Sequence, residues 1–188
     1  MKALILLSLV VASAMGLHGQ GTVLFANYSQ QGQGVNAPVY ESDGVTALSG
    51  SQFMAELLAG RSMNNLVSIA TTGFLTGGVG IFHAGPETIN SVPPGGTAWV
   101  QVDVWNTASG QTFAQAKASG LPNSWWQSSV FSVITAGGFQ GPPPTPLTGL
   151  GNSPVYLNGV PEPSSLAVFS CGLALVLLRN GLTRQSTE

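Results

Sequence analysis

Thr97-Ala98-Trp99-Val100-Gln101-Val102-Asp103-Val104-Trp105-Asn106 is the stretch on which the fold of this chain turns. Successive side chains of a β-strand point to opposite faces. Ala98, Val100, Val102 and Val104 therefore share one apolar face, and Trp99, Gln101, Asp103 and Trp105 share the other. Alternation sustained over this length predicts a half-buried antiparallel strand.

Shorter segments on either side carry the same signal. Residues 21–27 alternate, with Val23 and Phe25 on one face. Residues 38–40 suit an edge strand, because Pro38 cannot donate to a ladder. Residues 66–72, 78–82, 130–134 and 155–157 are further strand expectations. Turn signals at Asp43-Gly44, Gly77-Gly78, Pro93-Pro94-Gly95-Gly96 and Gly137-Gly138 separate them. Two short helices are expected within this pattern. Ser49 and Gln52 match a capping box, Phe53, Leu57 and Leu58 form an apolar stripe, and Gly60 can end the turn. Residues 112–119 contain Phe113, Ala114, Ala116 and Ala118 and stop at Gly120. Residues 141–146 hold four prolines, so they are expected to cross between sheets or begin a stalk. Residues 147–159 are expected to be a last strand or part of a tether. The fold class implied is mainly β: an antiparallel β-sandwich or jelly roll over residues 15–159, with one or two short helices.

Charge narrows what this body can do. The whole chain has only five Lys and Arg against seven Asp and Glu, and between residues 15 and 159 the only strong bases are Arg61 and Lys117. A phosphate backbone needs clustered cations, so nucleic acid is excluded as a partner. The single cysteine, Cys171, excludes an intramolecular disulfide.

Catalytic patterns are sparse. His18 and His83 are the only histidines, and neither has a neighbour at metal-ligand spacing. His83, Asp103 and a serine can be written as a triad, but no Gly-x-Ser-x-Gly elbow occurs. Glu41 and Asp43 flank a turn, where Asp43 is expected to accept backbone N–H bonds rather than help hold calcium. Gly73 to Gly80 is glycine-rich but lacks the Lys-Ser/Thr ending of a phosphate loop. Neither a catalytic residue, a metal nor a cofactor is expected. Trp99, Trp105, Trp125 and Trp126 are the remaining hint. Tryptophans flanked by Asn, Gln and Asp can stack on sugar rings, or they can pack under a loop or between sheets.

Both ends of the chain read as addresses. Met1-Lys2, the apolar residues 3–11 and the small residues Ala12-Ser13-Ala14 form a signal peptide over 1–14, with cleavage near Met15 or closer to Gly19. At the other end, Pro161 and Pro163 push Val160 and Glu162 toward extended backbone. Ser164 or Ser165 can then cap an apolar helix over 165–178, followed by Arg179 and Arg184 on the cytoplasmic side. The thirteen apolar-run residues from Leu166 to Leu178 reach roughly 20 Å as a helix, against a hydrocarbon core of about 30 Å. That length suits a temporary hold better than a permanent anchor.

Residues 160–188 resemble the PEP-CTERM sorting signal of Gram-negative bacteria. The match lies in Pro161-Glu162-Pro163, in Ser164-Ser165-Leu166-Ala167, in the apolar run and in Arg179. The family's tail ends in a denser arginine cluster, whereas here Asn180-Gly181-Leu182-Thr183 precede Arg184. The resemblance implies Sec export, removal of the signal peptide by signal peptidase, and a transient hold at the inner membrane. An exosortase-type transpeptidase would then cut near Val160, Pro161, Glu162 and Pro163 and pass the protein to the cell surface or extracellular matrix. The chain is then a substrate rather than an enzyme. Its expected role is a non-catalytic surface or matrix protein, with a carbohydrate-binding module acting on exopolysaccharide as the alternative.

Overall fold

A computed structural model describes residues 20–29, 34–77, 79–137 and 142–158. The signal peptide, Val160 to Pro163, the apolar residues 165–178, Arg179 and Arg184 lie outside the described residues. By packing, the chain divides after Asn158. Among the described residues, no helix is long and apolar enough to cross a membrane.

The body is mainly β, built on antiparallel sheets. Strands β1 (Gly21–Ala26), β2 (Val39–Tyr40), β3 (Phe53–Gly60), β4 (Val67–Gly73) and β5 (His83–Ile89) come first. They are followed by β6 (Thr97–Asn106), helix α1 (Phe113–Ala118), β7 (Trp125–Gln127) and β8 (Phe131–Ile134). Two short strands close the series, β9 (Thr145–Pro146) and β10 (Val155–Tyr156). One sheet has the order β5-β1-β9, with β1 and β5 antiparallel and β9 parallel to β1. The larger sheet runs β4-β3-β6-β7, and β8 also pairs with β6. β2 and β10 form a parallel pair.

The decisive strand lies where the alternation puts it. Ala98, Val100, Val102 and Val104 are fully buried. One core cluster joins them to Ala55, Leu57 and Ala59 of β3 and to Val23, Phe25 and Ile89 of the other sheet. Phe25, Phe82, Phe74 and Phe53 stack edge-on or tilted in succession through this core, with ring centroids 5.2 to 6.4 Å apart. Such contacts add to the area buried. Asn27, fully buried at the end of β1, donates from Nδ2 to the carbonyls of Ala37 and Gly80 and accepts from the Phe82 N–H. That one amide ties together three segments, and at Gly80 it adds to the bond the carbonyl already accepts from the Val39 N–H.

Two expectations need correction. Residues 49–60 are not a helix. Phe53 to Gly60 is β3, paired along its whole length with β6 and on its other edge with β4. Met, Ala, Glu and Leu favour helix, but so short a helix is marginal alone. Pairing with two strands buries Phe53, Ala55, Leu57 and Ala59 at period two. The strand expected at 78–82 is displaced: Phe82 makes only an isolated bridge to Phe74, and the strand is β5. Gly85 and Pro86 hide β5 in the sequence. The edge position of β5 tolerates the proline, and Gly85 adopts φ +103° beside the bulge at Phe25 and Ala26. Within 141–146, Thr145 and Pro146 form β9, again at a sheet edge. The helix expected at 112–119 is α1. Thr112 caps it by accepting from the Gln115 N–H, and Gly120 follows at φ +66°.

Candidate functional site

The outward face of the larger sheet gathers the chain's chemistry. Register sets Glu56 of β3 directly beside Asp103 of β6, and Met54 beside Trp105. Beyond β6, Trp125 of β7 stands beside Trp105, and Gln127 beside Asp103. On the other side, Thr71 of β4 pairs with Glu56. Helix α1 lies against this face. Gly110 lets the chain before α1 fold close against the helix: a Cβ there would come within 2.4 Å of the Ala116 nitrogen.

α1 supplies Phe113 and Lys117. Phe113 meets Trp125 edge to face at 5.9 Å between centroids. The Lys117 Nζ sits 4.6 Å from the Trp125 ring centroid and donates to Gln127 Oε1 at 2.9 Å. This cation is thereby committed to an aromatic face and an amide.

Asp103 is only 3% exposed. Gln101 Nε2 donates to its Oδ1 at 2.8 Å, and Gln127 Nε2 at 3.0 Å. Burial pushes the Asp103 carboxyl above the usual carboxylate range. The two amides offset part of that, Glu56 pushes it further up, and Lys117 pulls it back.

Between these strands and the helix runs a groove of about 430 Å³, within the usual range of ligand sites. Met54, Glu56 and Trp105 line it from the sheet, and Gln111, Thr112 and Phe113 from the helix side. Trp105 is 5% exposed, and its buried indole Nε1–H has no hydrogen-bond partner among the described residues. An orphaned buried donor costs about 1–3 kcal/mol. The groove therefore combines two aromatic side chains with the Glu56 carboxylate, which is a set suited to polyhydroxylated ligands.

Comparison with protein-family models, with curated proteins and with solved structures finds no match to this chain. The site stands on its geometry alone.

The four tryptophans do not form one platform. Trp105 lines the groove, and Trp125 is half-buried under Phe113 and Lys117. Trp126 pairs with Val104 and packs against the core, so its ring belongs to the inward side. Trp99 shares the outward face but lies at the far end of β6, beside Ser132 of β8. The polar neighbours of Trp125 are committed to structure. Asn158 Oδ1 accepts from the N–H groups of Ser124 and Trp125, and Asn123, at φ +53°, bonds to Ser42 and Glu41.

Other sequence candidates separate. His83 is exposed on β5, in a different sheet from Asp103. Asp43 accepts from the N–H groups of Val45 and Thr46 and from the Thr46 hydroxyl, which hold its carboxyl below the usual range. That is the turn role expected for it. Among the described residues, no group of three or more His, Cys, Asp or Glu side chains can hold a metal ion. Glu56 and Phe113 were not legible as site residues. A helical 49–60 kept Glu56 away from Asp103, and only the alternation of Phe53, Ala55, Leu57 and Ala59 signals the strand that places it. A second, mainly apolar groove of about 380 Å³ lies between Tyr28, Tyr40, Leu75 and Val79.

Proposed function

We propose that this chain is an exported, non-catalytic protein of the cell surface or extracellular matrix. It is held briefly at the inner membrane of a Gram-negative bacterium and processed near Pro161-Glu162-Pro163 by an exosortase-type transpeptidase. The observation that carries this reading is the order of parts at the C-terminus: a proline-framed peptide, a short apolar run, then Arg179 and Arg184. The signal-peptide pattern over 1–14 supports it from the opposite end. We take the two antiparallel sheets as the layers of a β-sandwich, because a single core cluster draws on both. Residues 165–178 are taken as the short membrane helix.

The test replaces Pro161, Glu162 and Pro163 with alanine in an exosortase-bearing host and follows mass and location. The wild-type chain is expected to leave the membrane shortened, and the variant to stay membrane-bound with its tail. Unchanged mass and unchanged release in the variant would refute the sorting proposal.

The groove at Trp105 favours a second reading of the body, as a carbohydrate-binding module for exopolysaccharide. Its support is the conjunction of Trp105 and Phe113 with the Glu56 carboxylate in one groove. In that reading Trp105 and Phe113 carry the site, and Trp99, Trp125 and Trp126 serve the fold around it.

A further inference from the structure

The charge balance around the Trp105 groove is one-sided. Glu56 lines the groove and stands directly beside Asp103 on the same face. Lys117 is occupied by Trp125 and Gln127. Arg61, the other strong base among the described residues, bonds through Nε to the carbonyl of Ser91. Neither cation lines the groove.

We propose that the groove selects saccharides bearing a free amino group, accepts neutral ones more weakly, and rejects uronic acids. This rests on the saccharide reading of the site. Three features act together. The Glu56 carboxylate offers a charge-assisted bond to an ammonium group. The faces of Trp105 and Phe113 favour a nearby cation over an anion. A carboxylate on the ligand would meet Glu56 with no cation lining the groove, and repulsion of that kind discriminates between ligands that share a ring shape. Contact with the two rings therefore sets whether a sugar binds, and Glu56 sets which charge is preferred.

The experiment titrates the purified full chain, in detergent and at low salt and mildly acidic pH, with three probes. These are oligomers of glucosamine, of N-acetylglucosamine and of a uronic acid. The glucosamine oligomer is expected to bind about tenfold tighter than the N-acetylated one, with no binding of the uronic acid oligomer. Added salt should shrink the difference. Glu56→Gln keeps an acceptor for the Ser68 hydroxyl. It should abolish the preference for the glucosamine oligomer over the N-acetylated one. Equal or tighter binding of the uronic acid oligomer overturns the proposal and leaves the saccharide reading standing. So does a charge preference that survives Glu56→Gln. Failure of all three probes to bind overturns both.

Discussion

The two faces of β6 come from one run of residues, yet different forces shape them. Inward, Ala98, Val100, Val102 and Val104 are all fully buried in one cluster. Outward, Asp103 and Trp105 are buried while Trp99 and Gln101 are only half-covered. Hydrophobic burial sets the inward face and is indifferent to partner identity. The outward face depends on which side chains β3, β7 and α1 bring to it. One face fixes the fold, and the other presents chemistry.

Substitutions can break or sharpen that contrast. Val102→Asp places an unpaired charge in the core, at a cost on the order of 5 kcal/mol. That is comparable with the whole stability of a small domain, so circular dichroism should lose its cooperative thermal transition. Trp105→Phe keeps a ring and deletes the orphaned N–H. Stability should change by no more than about 1 kcal/mol, while affinity for a neutral oligosaccharide falls about tenfold. If this outward change unfolds the body as Val102→Asp does, the contrast between the faces fails.

The smallest effect is expected from Asp103→Asn, and it depends on pH. Burial raises the folded-state pKa of Asp103. As pH rises from the ordinary carboxylate value, the unfolded chain ionises first, and the wild type loses stability until the folded carboxyl also ionises. Asparagine retains the Oδ1 acceptor for Gln101 and Gln127 but cannot ionise. The variant should therefore gain on the wild type in thermal denaturation as pH rises through that window, with no change in the gap above it. A gap that narrows with rising pH would contradict the assigned burial.

Legibility in the sequence followed the same division. β1, β4, β6, β8 and β10 were visible because alternation is local and survives without knowledge of neighbours. β3 reads as a helix because Met54, Ala55, Glu56, Leu57 and Leu58 are individually good helix formers, and only pairing on both edges overrides them. β5 was displaced because Gly85 and Pro86 look like breakers until an edge position and a bulge are known. The site was half legible. Trp105 announced itself by type and parity. Glu56, Phe113 and the inward turn of Trp126 depend on register and helix docking, which no local pattern carries. The sorting signal is the converse case, since its meaning lies in the order of residues along the chain.

The most direct measurement follows the indole N–H signals of the four tryptophans by nuclear magnetic resonance while a neutral oligosaccharide is added. All four lie in the body, at residues 99, 105, 125 and 126, and each gives one cross-peak. The Trp105 signal should move farthest, because its side chain lines the groove, with Trp126 nearly still. A stationary Trp105 signal, with the shifts confined to other tryptophans or absent, would show that the outward face of β6 is not the binding surface.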